Sequence, residues 1–219
     1  MTLIPETYPA LSSKMRPSRA LILGSTSVYR RELLARLRIA FDVVSPEVDE
    51  TPLPAELPAD LAWRLALAKA NAVAALYPEA VVIGSDQVPD LNGTPLGKPG
   101  THERALAQLR QMRGQTVVFQ TAIAVVCHAS RFEQVRLMPV RVRFRGESEV
   151  SDADIAHYLH TEQPYDCAGS AKSEGLGIAL LAAIESDDPT ALIGLPLILT
   201  CDLLRAAGVS LLSGPGATA

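Results

Sequence analysis

The sequence predicts an α/β fold in which a central mixed β-sheet is flanked by helices and two lobes surround a cleft. Short apolar segments typical of buried strands alternate along the chain with segments whose apolar residues repeat at helical spacing. The middle of the chain holds two long β-rich segments, 115–126 and 131–145, which are expected to be antiparallel neighbours. Because parallel strands need long crossover connections, these adjacent segments favour a mixed sheet over a strictly parallel one.

The first half of the chain indicates three strands and two helices. In order, they are strand 20–24, helix 30–37, strand 41–44, helix 61–76 and strand 80–84. Leu33, Leu34 and Leu37 give the first helix an apolar face, and Ser27 is a suitable N-cap for it. The segment 45–58 is rich in proline and acidic residues and is predicted to be a loop.

The second half begins with a strong hairpin signal at Asn92-Gly93. It also predicts three further helices, at 101–112, 151–160 and 196–207. We expect one domain, residues 19–208, between a flexible N-terminal extension at 1–18 and a flexible C-terminal tail at 209–219.

Composition excludes several classes of protein. The chain has 219 residues and a net charge of −4, so it is a poor candidate for binding nucleic acid polymers. Its three cysteines form no C-x-x-C pair, which argues against a zinc site or a disulfide framework. No apolar run approaches the roughly 18 residues of a membrane span, and no convincing signal peptide is present. We therefore expect a cytoplasmic protein without a membrane partner.

A phosphate site is one interpretation of the segment that follows the first strand. Ser25 and Ser27 supply hydroxyl groups where a helix begins, and helix N-termini attract anions. Arg30 and Arg31 lie in the first turn, where cations are unfavourable unless an anion is bound. The alternative is an ordinary N-cap with two solvated arginines. The segment is not a Walker A loop.

Other candidate residues are an acid and two lysines. Asp86 follows the strand 80–84 and is expected at its carboxyl end, where ligands of α/β proteins bind, although the alternative is an N-cap or turn residue. Lys98 lies between a glycine and a proline and could reach an anion or simply be solvated. Lys69 is alone in an apolar helical stretch, where snorkelling is the common explanation.

Two loops carry further charged residues. Glu47, Asp49 and Glu50 could hold Mg²⁺, which prefers oxygen ligands, or could form an ordinary solvated loop. The Gly- and Ser-rich segment 167–175 carries Glu174 and is either a mobile binding loop or a connection.

The order of these motifs is more specific than any one of them. They are S-x-S-x-x-R-R at 25–31, E-V-D-E at 47–50, A-x-x-K-A at 66–70, G-S-D-Q-V at 84–88, G-K-P at 97–99, A-G-S-x-K-S-E-G at 168–175 and G-L-P at 194–196. In this order, from about residue 20 to 208, the chain resembles the Maf family of nucleoside triphosphate pyrophosphatases. The resemblance implies hydrolysis of a nucleotide to its monophosphate and diphosphate, a divalent cation (Mg²⁺ or Mn²⁺) and a homodimer.

The resemblance also implies roles for individual residues. Asp86 would be the proton acceptor that activates water and would touch the metal, which Glu47 would help to place. The phosphates would be bound by Ser25, Arg30, Lys69 and Lys98. This chain has Gly24 and Val28 where the family usually has alanine and proline, and neither change removes a functional side chain.

Three positions are expected to set the substrate, and here they are Tyr29, Gln87 and Glu174. An aromatic residue, glutamine and glutamate resemble the branch of the family that acts on 7-methyl-GTP. Tyr29 could stack on the cationic base, Glu174 could accept hydrogen bonds from the guanine edge, and Gln87 could donate to and accept from a purine. Tyr29 stands where that branch would have tryptophan. The alternatives are the dTTP and UTP branch, or a nucleotide-binding regulator of cell division with little turnover.

Overall fold

The computed structural model describes residues 19–212, so the predicted extension at 1–18 and the end of the predicted tail lie outside the described residues. The strands are β1 (Leu21–Gly24), β2 (Asp42–Val44), β3 (Val81–Leu91), β4 (Thr94–Pro95), β5 (Thr116–Cys127), β6 (Phe132–Phe144) and β7 (Leu181–Glu185). The α-helices are α1 (Val28–Ala35), α2 (Pro58–Leu76), α3 (His102–Met112), α4 (Asp152–Glu162) and α5 (Leu197–Ala206). Short 3₁₀ helices lie at Ala168–Ser170, Leu176–Leu180 and Ala191–Ile193.

The strands of the described residues form one seven-stranded mixed sheet. Its order is β2-β1-β3-β5-β6-β7, and β4 pairs with the end of β3. The pairs of β1 with β2 and with β3 are parallel, and the remaining pairs are antiparallel. The predicted mixed α/β class is thus confirmed, while the division into two lobes stays a prediction.

Local signals explain most element boundaries. α2 begins at Pro58, which suits the first helical position because its missing N–H has no partner there in any case. Asn92 and Gly93 both have positive φ, at 53° and 82°, as a tight hairpin turn between β3 and β4 requires. Ser151 caps α4 in a capping box with Asp154.

Two boundaries differ from expectation. β3 does not end near Gly84 but continues to Leu91, because β5 pairs with it from Val82 to Asp90 and satisfies its backbone groups. At the other end of the chain, Val209 is buried and Leu211 packs against the same core cluster. Packing therefore continues past Gly208, where the tail was expected to begin.

Apolar clusters cover both faces of the sheet. α2 covers one face, with Leu65, Ala66 and Ala70 against residues of the sheet such as Val82. On the other face, α1 and α5 pack against β1 and β3. α3 and α4 pack over the far part of β5 and β6. The contacts of α2 matter most for the site, because this helix carries Lys69.

α2 approaches the sheet closely because two positions beneath it are glycine. A Cβ on Gly84 would lie 2.6 Å from the backbone nitrogen of Ala70 and would collide with the carbonyl oxygen of Ala66. A Cβ on Gly24 would meet Val73 at 3.2 Å and the Lys69 carbonyl at 3.3 Å. The helix backbone therefore lies directly on the sheet.

We expect Gly84→Ala to lower the free energy of unfolding by about 1–3 kcal/mol, because backbone atoms of α2 must move to admit the methyl group. Urea unfolding measures this change. Gly146→Ala is the matched control, since a Cβ there meets nothing within 4 Å and should change stability by less than about 0.5 kcal/mol. Equal stability of the two variants would contradict the close packing of α2.

Candidate active site

A cleft of about 780 Å³ opens where β1 ends and β3 continues. The last residue of β1, Gly24, pairs with Gly84, and β4 joins β3 only at Asp90. Between them, the segment 85–88 has no strand partner on this side among the described residues. The volume lies within the usual range of small-molecule sites.

The open edge of β3 explains how neighbouring residues enter one cleft. Successive side chains of a strand point to opposite faces, so Asp86 points toward α2 and Gln87 toward the other face. Both nevertheless line the cleft, because no adjacent strand separates the two faces there. Asp86 is therefore a mid-strand residue and not the strand-end or turn residue that the sequence suggested.

Ser25 and Arg30 lie together in the predicted phosphate segment. The Ser25 hydroxyl accepts hydrogen bonds from the Ser27 backbone N–H (3.2 Å) and from Nη1 of Arg30 (3.5 Å). Burial lowers the pKa of Arg30, and the charges of Asp86 and Glu50 partly offset this effect. A partly buried guanidinium at the beginning of a helix is well suited to an anionic ligand.

Ser27 and Arg31 are placed differently from Arg30. The Ser27 hydroxyl accepts from the Arg30 backbone N–H and caps α1, so the N-cap interpretation is confirmed, although Ser27 also lines the cleft. Arg31 is exposed and is not among the residues that line the cleft. Of the two predicted arginines, only Arg30 faces the site.

Lys69 is held by two carboxylates and does not snorkel to solvent. Lys69 is only 5% exposed to solvent. Its Nζ lies 2.6 Å from Oδ1 of Asp86 and 2.7 Å from Oε1 of Glu50. The Lys69–Asp86 pair is buried, because α2 lies close enough to the sheet for the lysine to reach β3.

The acidic loop contributes Glu50 to the cleft. Burial by itself would raise the pKa of Glu50, but the hydrogen bond and charge of Lys69 outweigh it, with help from Lys98 and Arg30, and the pKa falls below its usual value. Glu47, the predicted metal ligand, is exposed and does not line the cleft. Asp49 accepts a hydrogen bond from the Thr51 N–H within the loop. The acidic cluster in the sequence indicated this loop, but only the position of Lys69 identifies Glu50.

Lys98 also lines the cleft. It is exposed, and its charge acts on Glu50. The three predicted cations Arg30, Lys69 and Lys98 therefore share one cleft with Asp86, as the sequence suggested.

Tyr29 belongs to a different group of side chains in the same cleft. The Cys167 thiol lies 3.8 Å from its hydroxyl oxygen, and Asp166 and Glu174 also line the cleft. The pKa of Tyr29 is raised, first by burial, then by Cys167 and by the charges of Asp166 and Glu174. Burial raises the pKa of Cys167 to about 11. The sequence did not single out Asp166.

The loop that carries Glu174 is pinned to α4. Oε1 of Glu162 accepts a hydrogen bond from the Leu176 N–H at 2.7 Å, and the absence of a Cβ on Gly175 lets the same carboxylate approach. Lys172 donates to the Glu162 carbonyl at 3.1 Å, so it is directed toward α4. The glycines and the lysine of this motif thus shape the loop.

Gln87 uses its amide nitrogen within the protein. Nε2 lies 2.9 Å from Oγ1 of Thr121, 2.9 Å from the Ala191 carbonyl oxygen and 3.0 Å from the Leu192 carbonyl oxygen. Two carbonyl acceptors fix which end of the amide is the nitrogen. The expected donor to a purine is therefore already engaged.

No cluster of three or more His, Cys, Asp or Glu side chains in the range 19–212 has the arrangement of a metal site. None of the helices described there has the length and apolar character needed to cross a membrane.

Comparison with known proteins gave consistent matches. The model of the Maf-like protein family matches residues 20–207. A protein named 7-methyl-GTP pyrophosphatase from Polaromonas sp. strain JS666 is 70% identical over 91% of this chain and 90% of its own length. Proteins of the same name from Albidiferax ferrireducens (63% identical, covering 89% and 96%) and Cupriavidus metallidurans (56% identical, covering 90% and 97%) are also similar.

We expect Lys69→Met to lower the free energy of unfolding by about 3 kcal/mol, because it leaves the buried Asp86 carboxylate without its partner. Urea unfolding of this variant and of the double variant Lys69→Met/Asp86→Leu provides the test. The double variant should recover at least half of the loss, since both buried charges are gone.

Lys98→Met is the control for this experiment, because Lys98 is exposed and its removal should change stability by less than about 0.5 kcal/mol. If Lys69→Met and Lys98→Met were equally stable, the buried pair would contribute no more than an exposed charge.

Proposed function

Since the chain belongs to the Maf family, we propose that it hydrolyses 7-methyl-GTP to 7-methyl-GMP and diphosphate. The observation that carries this proposal is the distribution of charge in the cleft. Arg30, Lys69 and Lys98 are available to a triphosphate, while Asp166 and Glu174 act on Tyr29. A nucleotide with an anionic triphosphate and a cationic methylated base matches both groups.

Asp86 is proposed as the proton acceptor. A water molecule transfers a proton to its carboxylate as the water oxygen attacks the α-phosphorus. The bond between the α-phosphorus and the bridging oxygen breaks, and diphosphate leaves with that bond's electron pair. Lys69, 2.6 Å from Asp86, supports the ionised carboxylate, and the cations of the cleft neutralise the charge on the phosphates.

The carboxylates of the cleft suit a divalent cation. Mg²⁺ is usually held by one or two carboxylates together with substrate phosphates, which needs no cluster of three protein ligands. We propose that Asp86 and Glu50 hold Mg²⁺ or Mn²⁺ there. Both lie within 2.7 Å of Lys69, whereas Glu47 does not line the cleft. When bound, the cation would neutralise charge on the phosphate oxygens.

The base is proposed to bind beside Tyr29. A cation over an aromatic face gains about 0.5–2 kcal/mol, and nearby carboxylates favour a positive base. Glu174 can also accept from the N1–H and N2–H₂ groups of guanine, which a pyrimidine lacks. The names of the relatives and the presence of Gln87 and Glu174 favour this substrate over dTTP and UTP.

Removal of methylated nucleotides before they enter nucleic acid is the cellular role that we propose. A cytoplasmic location and a homodimer are part of the same proposal, because they follow from the resemblance and from the composition of the chain.

We expect Asp86→Asn to lower the turnover of 7-methyl-GTP at least about 100-fold while nucleotide binding is kept, because the amide cannot take the proton of water. Diphosphate release from 7-methyl-GTP, GTP, dTTP, UTP and CTP, each with Mg²⁺ and with Mn²⁺, measures turnover, and calorimetry measures binding. A wild-type protein that binds nucleotide but turns over none of the panel would support a regulatory binding protein instead.

We expect Tyr29→Ala to lower kcat/KM for 7-methyl-GTP about 2- to 30-fold, the equivalent of the cation–π energy, and to change kcat/KM for GTP less than twofold. Asp166→Asn and Glu174→Gln should act in the same direction. Steady-state kinetics on both nucleotides gives the ratio, with the exposed Tyr77→Ala as control. Equal losses on the two nucleotides would refute recognition of the base charge.

A further inference from the structure

One wall of the cleft is a turn whose backbone is hydrogen-bonded to side chains of the sheet and of α1. The turn comprises residues 191–194, and Leu192, Ile193 and Gly194 line the cleft. Its backbone carbonyls accept hydrogen bonds from Gln87 and Ser85 on β3, from Thr121 on β5 and from Arg30 on α1. The wall is therefore positioned by groups that are between 70 and 164 residues away in sequence.

Gln87 and Thr121 act on the same point of this turn. They are directly paired across β3 and β5, so their side chains lie on one face. The Thr121 hydroxyl donates to the Ala191 carbonyl at 3.1 Å. Nε2 of Gln87 shares its two hydrogens among three acceptors, which are the Thr121 hydroxyl and the carbonyls of Ala191 and Leu192. The two side chains thus form one closed hydrogen-bonded group with the turn.

Thr121 cannot touch a ligand in the cleft. It is fully buried and is not among the residues that line the cleft, whereas Gln87 is half-buried and lines it. Any effect of Thr121 on substrate use must therefore pass through Gln87 and the turn. Substitutions of Thr121 can therefore distinguish whether Gln87 positions the turn or contacts the base directly.

The other end of the turn leads to the phosphate-binding cation. The Gly194 carbonyl accepts from Nε of Arg30 at 2.9 Å, and it also lies 3.1 Å from the Ser85 hydroxyl, whose single hydrogen is shared with the Ala122 carbonyl at 2.8 Å. Gly194 has φ of +119°, a conformation that L-amino acids with side chains rarely adopt. The turn beyond Gly194 continues into α5, whose first N–H groups are capped by Thr190 and Asp188. The turn is thus fixed at both ends.

We propose that Thr121 and Gln87 are positioning residues for nucleotide selectivity, acting through the Ala191–Leu192 carbonyls on the wall formed by Leu192 and Ile193. The substrate named in this proposal rests on the proposed function. Replacing glutamine here removes the donor that holds two carbonyls, so the wall moves even where no bond to the base is lost. Selectivity at position 87 is then a property of the turn.

The test compares Thr121→Val, Gln87→Met and the double variant. Each single variant should raise KM for 7-methyl-GTP about five- to tenfold, because the turn 191–194 loses hydrogen bonds that hold it in place. The value of kcat should stay within about twofold, because Asp86 and Lys69 are unchanged. As KM for 7-methyl-GTP rises, the ratio of kcat/KM for 7-methyl-GTP to kcat/KM for dTTP should fall. The double variant should have a KM no higher than that of either single variant, since each substitution disrupts the same hydrogen-bonded group of Gln87, Thr121 and the turn. Thr121→Ser should restore KM.

Thr200→Val is the matched control. Thr200 is another fully buried threonine whose hydroxyl donates to a backbone carbonyl, that of Pro196, and it does not line the cleft. It should leave KM unchanged even if it lowers the melting temperature as much as Thr121→Val does. A similar rise of KM in this control would mean that reduced stability alone produces the effect.

A wild-type KM and selectivity in Thr121→Val, together with a loss in Gln87→Met, would overturn the proposal and assign Gln87 to direct contact with the base. Amide hydrogen exchange of residues 190–194 gives a readout without substrate: exchange should speed up in both single variants and not in Thr200→Val. If the wild type prefers another nucleotide or none, the proposed function fails, and exchange still decides whether these side chains hold the turn. An unchanged exchange rate of residues 190–194 in Thr121→Val would refute the proposal that Thr121 holds the turn.

Discussion

The closeness of α2 to the sheet is the constraint on which the site depends. Gly24 and Gly84 place no side chain of their own beneath α2, and at these two positions atoms of the helix backbone occupy the space that a Cβ would need. At this distance the Lys69 ammonium reaches Asp86 on β3, and the two charges share a buried environment. A buried charge is tolerated only with a partner. The two glycines let α2 come close enough for Lys69 to be that partner, so the position of the proposed proton acceptor depends on them.

The second feature is the early end of β1. Because β3 continues beyond its partner, its edge is open along 85–88, and side chains of both faces enter the cleft. One face supplies Asp86 with Lys69, and the other supplies Gln87 with the turn 191–194. A strand covered on both sides would have kept these groups apart. The cleft thus combines two different polar networks without any irregularity in β3 itself.

Electrostatics divides the same cleft into groups of opposite character. Lys69 pairs with Asp86 and Glu50, and the charges of Arg30 and Lys98 also act on Glu50, while Asp166 and Glu174 act on Tyr29. Such a division suits a ligand that carries both signs of charge and is less favourable for a ligand that is anionic at one end and neutral at the other. The charges of the cleft therefore favour the same class of nucleotide as the names of the relatives.

The sequence by itself determined the mixed α/β class, the order of the five α-helices and of β1, β2, β3, β5 and β6, the caps at Ser27 and Ser151 and the loops that meet at the cleft, whereas β7 was not predicted. These features depend on periodicity and on residues a few positions apart, which are visible in the chain. Only the tertiary structure decided that Asp86 lies within a strand, that Glu50 and not Glu47 faces Lys69, and that the Gln87 amide is engaged. Each of these depends on a partner that folding brings from elsewhere in the chain: β5 beside β3, α2 over the acidic loop, and Ala191, 104 residues away, beneath Gln87. Local patterns carry no information about which distant groups compete for a side chain, and that competition fixes what the side chain has left to offer a ligand.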